Sequence, residues 1–116
     1  MKKIIEIDGK EYEMKSSAYT QFAYKNLTGR SLLEDVKTIM DNVDKIEEDF
    51  TTFDLITEPL FDISYVMIQE ADEKQVTSKE EFYKSIDNYV EDDKWISDVI
   101  TLAINPISRQ LQNEIK

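Results

Sequence analysis

Hydrophobic and polar residues alternate at the start of the chain, and this alternation predicts a β-hairpin. Two apolar–polar–apolar runs, I-E-I and Y-E-M, lie on either side of Asp8-Gly9, a dipeptide favoured in type I′ turns because both central residues need positive φ. A two-residue turn pairs Ile7 with Lys10. The apolar face then carries Ile5, Ile7, Tyr12 and Met14. Since an isolated hairpin is marginal in water, this face must dock on the helices or on a neighbouring subunit, and the free strand edges could extend a sheet between subunits.

After the hairpin, apolar residues recur at spacings of three and four, which predicts helices. The first helix begins with Ser16 or Ser17 as its N-cap and runs to about Leu27, and Gly29 ends it in a left-handed conformation. Its predicted apolar face consists of Tyr19, Phe22, Ala23 and Leu27.

A second helix follows the glycine, with Ser31 and Glu34 as its capping box. Its apolar seam consists of Leu32, Val36, Ile39, Val43, Ile46 and Phe50. The alternating spacing of four and three predicts packing along another helix at a shallow angle. Residues 47–49 are all acidic and oppose the helix dipole, so this end of the helix is expected to fray or turn.

The third predicted helix has the widest apolar surface in the chain. Thr51 or Thr52 caps it, and it runs to about Ala71. Its seam consists of Phe53, Ile56, Leu60, Ile63 and Met67. A helix that is apolar on most sides lies at the centre of a fold or in an interface. Pro59 predicts either a kink or a restart of the helix at that residue.

A polar connection over residues 72–77 leads to a fourth helix, for which Ser78 and Glu81 form the capping box. Its apolar side chains are Phe82, Ile86 and Tyr89. The last long helix begins with Asp92 or Asp93 as its N-cap. Its inward-facing residues are predicted to be Trp95, Ile96, Val99, Ile100, Leu102 and Ala103.

Asn105-Pro106 is predicted to stop the last long helix, because a residue that precedes proline avoids helical dihedral angles. A short terminal helix then carries an apolar stripe of Ile107, Leu111 and Ile115, which either packs on the domain or is offered to a partner. The chain is therefore predicted to be a single α+β domain, predominantly α. It consists of a hairpin over 1–15, a helical core over 16–105 and a separable helix over 106–116.

Composition argues against most kinds of chemistry. The 116 residues include no His and no Cys, so the usual near-neutral general base, thiol catalysis and the commonest zinc ligands are all missing. We therefore expect a protein that is not an enzyme, binds no metal and needs no cofactor. No apolar run approaches the length of a membrane span and no signal-peptide segment follows Lys2-Lys3, so a cytoplasmic location is expected.

The net charge of −11 is unevenly distributed. Residues 31–76 carry thirteen Asp and Glu against three Lys, whereas the first thirty residues are net positive. Because an acidic chain repels phosphate groups, no nucleic-acid partner is expected, and basic protein partners are favoured. The acidic cluster from Asp41 to Asp49 is open to two interpretations, a cation or basic-partner site and a solvated helix face, and the EF-hand pattern is absent from it.

Aromatic and apolar side chains provide the candidates for partner binding. Trp95, Tyr65 and Phe61 form either a binding hot spot or part of the core, and their helical spacing favours the core. The candidate partner-binding residues are Phe61, Tyr65, Ile68, Ile107, Leu111 and Ile115.

The order of these elements resembles that of the tail assembly chaperones of long-tailed bacteriophages that infect Gram-positive hosts, or of their prophages. The matching parts are the strand, D-G turn and strand of 5–15, the helix that closes with L-T-G-R-S-L-L, the apolar helix of 53–71 and the T-S-K-E-E-F segment of 77–82. The resemblance covers most of the chain, and none of its motifs is catalytic.

The resemblance implies a non-enzymatic protein that binds the long helical tape measure protein in the host cytoplasm, keeps it soluble and helps to recruit tail tube subunits. It also implies self-association and absence from the mature virion. The chain would be the shorter product of a pair made by ribosomal frameshifting, or the folded N-terminal part of that product. Two alternatives remain. One is an acidic DNA mimic or inhibitor of phage origin. Lys37 and Lys45 argue against it, because they interrupt the acidic helix. The other is a minor structural component of the tail.

Overall fold

The structure, a computed structural model, describes residues 1–45, 48–89 and 93–115, with side chains as far as residue 107. Within these ranges a two-stranded antiparallel hairpin precedes five α-helices, which confirms the predicted α+β, predominantly α, class. The elements are β1 (Lys2–Ile7), β2 (Lys10–Lys15), α1 (Ala18–Thr28), α2 (Leu32–Asn42), α3 (Thr52–Ala71), α4 (Lys79–Ser85) and α5 (Lys94–Ile115).

The hairpin has the predicted register and the predicted turn. Ile7 pairs with Lys10, and both turn residues have positive φ, 54° at Asp8 and 77° at Gly9. The four apolar residues of the inner face are buried, and this face packs against α3 and α5 of the same chain. The alternative in which a neighbouring subunit covers this face is therefore not needed.

Helix α3 is the centre of the fold, and it contacts β2 and the other four helices. Leu60, Ile63 and Met67 are completely buried along its seam. The helix passes through Pro59 without restarting. The carbonyl that proline deprives of its usual donor belongs to Leu55, four residues earlier, on the exposed side of the helix.

The ends of α1 are as predicted, but its apolar face is not. Ser17 caps the start of the helix, and Gly29 ends it at a φ of 75°. The helix buries Thr20 and Tyr24 instead of the predicted face. Of that face, Ala23 is half-buried, whereas the other three residues, Tyr19, Phe22 and Leu27, are exposed. The prediction was wrong because polar partners, described below, hold Thr20 and Tyr24 inward.

Helix α2 is shorter than predicted. Ser31 accepts a hydrogen bond from the backbone N–H of Glu34, as in the predicted cap, and the buried residues are Leu32, Val36 and Ile39. The helix ends at Asn42, and a 3₁₀ turn follows over Val43–Lys45. Phe50 is 82% exposed, so it does not belong to the seam, and Ile46 lies outside the described residues. The acidic side chains near this end of the helix disfavour its continuation.

Helix α4 has the predicted Ser78 cap, but Glu81 accepts from the backbone N–H of Thr77 and not from that of Ser78. All six residues predicted to face inward on α5 are buried. Asp93 precedes α5, and its backbone carbonyl accepts from Ile96, whereas Asp92 lies outside the described residues.

The predicted stop at Asn105-Pro106 is wrong, because α5 continues through Pro106 to Ile115. Pro106 has no N–H to donate to the carbonyl of Leu102, four residues earlier, so the helix continues with one backbone hydrogen bond fewer. The Arg, Gln, Leu and Glu residues that follow are good helix formers.

Candidate partner-binding surface

A buried carboxylate fixes the relative positions of the helices. The side chain of Asp62, on α3, is completely buried. It accepts from Arg30 Nη2 at 2.9 Å and from Tyr83 Oη at 2.6 Å, and it pairs with Lys79 Nζ at 3.1 Å. These three partners lie after α1 and on α4. One carboxylate therefore joins three parts of the chain, and two cations compensate its charge.

Arg30 extends this network to α1 and α2. Its Nε donates to Asp35 at 2.9 Å, and Nη2 lies 3.2 Å from the hydroxyl of Tyr24, which itself donates to Asp35. Burial and the hydrogen bond to Asp35 raise the pKa of Tyr24. The hydrogen bond to Asp35 raises the pKa of Arg30. Since these donors and acceptors satisfy one another within the protein, we assign the network a structural role in stabilising the fold.

The surface of the molecule offers an apolar groove between α2 and α5, with a volume of about 480 Å³. Its apolar lining consists of Ile39, Met40, Val43, Ile96, Ile100 and Ile104. Met40 is 55% exposed, and the flexible thioether side chain of methionine adapts to the shape of a partner. We call this feature the α2–α5 groove. Its apolar lining suits one face of an amphipathic helix.

The rim of the α2–α5 groove is mainly polar and acidic. Asp44 and Asp93 lie at one end with Lys94, and Ser97 and Thr101 line the side that α5 provides. An apolar floor with a polar rim is the usual arrangement of a protein-binding site.

A second apolar surface lies on α1. Tyr19 and Phe22 are in ring contact at 5.7 Å, and both are exposed. With Leu27 they form the outer face of α1. A cleft of about 310 Å³ separates this face from α3, where half-buried Tyr65 lines the opposite wall.

The structure separates the six candidate partner-binding residues. Phe61 and Ile68 are buried in the core, so they are not accessible to a partner of the folded domain. Tyr65 lines the α1 cleft, and Ile107 is half-buried on α5. The side chains of Leu111 and Ile115 lie outside the described residues.

Two of the three aromatic candidates for a hot spot, Phe61 and Trp95, belong to the core instead, whereas the third, Tyr65, is half-buried at the α1 cleft. The ring of Phe61 lies 5.1 Å from that of Tyr89, 5.6 Å from that of Phe82 and 5.8 Å from that of Trp95. Trp95 also donates its indole N–H to the backbone carbonyl of Tyr89 at 2.9 Å. The predicted helical spacing had favoured this core position.

Neither the groove nor the buried network is predicted by the sequence pattern. Met40 lies beside the predicted seam of α2, and only the position of α5, whose residues line the opposite wall, makes it part of a groove. One indication of the buried network is present in the sequence, because Asp62 is a charged residue inside the most apolar helix. That pattern predicts a buried ion pair, but it does not indicate which cation forms it.

The acidic cluster does not assemble a metal site in the part of the chain that the structure describes, where no group of three or more acidic side chains converges. Asp41 instead pairs with Lys37 at 2.9 Å on the exposed side of α2. None of the described helices is long and apolar enough to span a bilayer.

Comparisons with known proteins identify no relative. No protein-family model matches the sequence, and neither a curated protein nor a solved structure is significantly similar to it.

Proposed function

We propose that this chain is a non-enzymatic tail assembly chaperone of a bacteriophage or prophage. It would bind the tape measure protein in the host cytoplasm, keep it soluble, help to recruit tail tube subunits, and be absent from the mature virion. The observation that carries the proposal is the α2–α5 groove, an open apolar site on a fold whose order of elements resembles that of the family.

The groove supports the proposal because it matches the chemistry of a long, apolar, helical client. A client helix with residues at i, i+3, i+4 and i+7 on one face would place them against exposed Met40 and half-buried Val43 and Ile104. Its burial in the groove would replace the contacts that otherwise lead such helices to aggregate.

The charge of the chain supports a solubilising role. Most of the net charge of −11 belongs to residues outside the groove lining, so a complex with an apolar client would remain strongly charged. A DNA mimic would need a continuous negative surface. The ion pairs of Lys37 with Asp41 and of Lys84 with Glu80 interrupt such a surface, which favours the chaperone over the mimic.

Co-expression with the tape measure protein from the same genome tests the proposal. We expect the tape measure protein to become soluble and to co-purify with this chain, whereas expression alone leaves it insoluble. If it stays insoluble and no complex forms, the chaperone role is wrong. Competition with DNA for a host enzyme would then support the mimic, and detection in purified virions would support a structural component.

A matched pair of variants tests the role of the groove. Met40→Lys places a charge in the groove, and Leu55→Lys places the same charge on α3, outside the groove lining. The two side chains have nearly equal exposure, 55% and 52%. We expect Met40→Lys to abolish co-purification and Leu55→Lys to leave it unchanged. Equal binding by the two variants would show that the client binds elsewhere.

A further inference from the structure

The two edges of the hairpin differ in accessibility. On β2, the side-chain amide of Gln75 covers Glu13 as a neighbouring strand would. The backbone N–H of Glu13 donates to Gln75 Oε1 at 2.8 Å, and Gln75 Nε2 donates to the Glu13 carbonyl at 2.8 Å. This amide blocks the addition of a strand on that side, which is one way in which proteins protect a sheet edge.

The edge of β1 is open. Because the backbone of Glu13 faces Gln75, its cross-strand neighbour Ile4 must direct its own N–H and C=O away from β2, and by the alternation of the antiparallel ladder so must Glu6. Among the described residues, neither backbone has a hydrogen-bond partner on that side. The side chain of Ile4 is 63% exposed. A cleft of about 380 Å³ lies beside these two residues.

The charges on the outer face of the hairpin are arranged unfavourably within one molecule. Lys2 pairs with Lys15 at one end of the ladder, and Glu6 pairs with Glu11 near the other end. Like charges directly opposite one another destabilise a sheet. The ion pair of Lys2 with Glu13 at 3.1 Å relieves this repulsion at only one end.

We propose that the β1 edge binds a second copy of this chain, as an antiparallel pair centred on Ile4. In this register Ile4 lies opposite Ile4 of the second copy, and Lys2 lies opposite Glu6 of the second copy. The backbone N–H and C=O groups of Lys2, Ile4 and Glu6 all point toward the second copy, so antiparallel hydrogen bonds can form between the two β1 strands. The doubly positive end of each hairpin then faces the doubly negative end of the other, and the result is a symmetric four-stranded sheet.

We identify the partner as a second copy of this chain because the β1 edge is complementary to itself. Shifting the register so that Glu6 faces Glu6 would set like charges against one another, whereas the Ile4-centred register pairs opposite charges on both sides of the axis. The inference does not rest on the proposed function, because it depends only on the hairpin.

Charge reversal tests both the edge and the register, with the dissociation constant of the dimer measured by sedimentation equilibrium. Lys2→Glu and Glu6→Lys should each weaken the dimer by about tenfold or more. The double variant K2E/E6K restores opposite charges in the proposed register and should recover the dimer. A monomeric wild type, or a double variant no tighter than the single ones, would overturn the proposal.

Two further variants localise the contact. Ile4→Pro removes an N–H that β2 does not use, so it should give a folded monomer. The chain has no cysteine, so Ile4→Cys should give a disulfide-linked dimer under mild oxidation, whereas Glu13→Cys on the covered β2 edge should not. Equal cross-linking of the two cysteine variants, or a dimer that Ile4→Pro leaves intact, would overturn the proposal.

Discussion

Arg30 donates a hydrogen bond to Asp62 at 2.9 Å, although 32 residues separate them in the sequence and they differ greatly in exposure. The Arg30 side chain is 38% exposed, whereas that of Asp62 is completely buried. Water can therefore solvate the arginine when the pair is broken, but it cannot reach the carboxylate. Removal of Arg30 and removal of Asp62 should consequently have unequal effects on stability.

Replacement of Arg30 by methionine should destabilise the fold by roughly 2–3 kcal/mol, because it leaves Asp62 with only Lys79 and Tyr83 as compensation. Chemical unfolding with urea would measure the change. Lys25→Met on exposed α1 is the matched control, and it should shift the unfolding free energy by less than about 0.5 kcal/mol.

The same pair allows a double-mutant test. Asp62→Leu removes the buried charge, so the combination R30M/D62L should be more stable than the sum of the two single effects predicts. Simple additivity would mean that Arg30 stabilises the fold through its other partners, Asp35 and Glu58.

The two tyrosines of the network, buried Tyr24 and half-buried Tyr83, predict a loss of stability in alkali. Burial is the main cause that raises the pKa of Tyr24 and of Tyr83 above the usual 10.0. Above pH 10 the unfolded chain releases these protons while the folded chain retains them, so the unfolding free energy should fall as the pH rises from there.

Unfolding midpoints in urea between pH 8 and about 11.5 would measure this loss. The Y24F/Y83F variant should show a shallower decline above pH 10 than the wild type. Because lysines also titrate in this range, some decline will remain in both proteins. Parallel curves for the two proteins would contradict the prediction.

Local signals predicted the hairpin and most helix ends correctly, because each depends on a few adjacent residues. Asp8-Gly9 requires a particular backbone conformation whatever surrounds it, and Ser17, Gly29 and Ser78 act on their own helix ends. The wide apolar surface of α3 likewise required a central position.

The face of α1 could not be predicted from its own sequence. Spacing alone favoured the side with Tyr19 and Phe22, yet the helix turns Tyr24 and Thr20 inward because Asp35 and Glu70 accept hydrogen bonds from them. These acceptors lie on other helices, so the information is tertiary. The α2–α5 groove escaped prediction for the same reason, since it exists only once the two helices are packed.

Leu60 provides a direct test of the central position of α3. Leu60→Asp would bury a carboxylate at a completely buried site on the seam, so we expect an unfolded or aggregated protein. Leu55→Asp places the same group on the exposed side of α3, and it should leave the fold intact. Circular dichroism and thermal unfolding would compare the two variants. A soluble, cooperatively folded Leu60→Asp protein would contradict the assignment of this residue to the core.

Removal of the end of α5 should weaken binding but leave folding intact. Deletion of residues 107–116 leaves in place every buried residue of α5 whose side chain the structure describes, since the last of these is Ala103. The shortened protein should therefore unfold cooperatively. Because Ile104 lines the α2–α5 groove and the helix continues beyond it, loss of the following turns should weaken co-purification of the tape measure protein. Thermal unfolding and co-expression measure the two effects. Loss of cooperative unfolding would assign the end of α5 to the core, and unchanged binding would place the client contact N-terminal to residue 107.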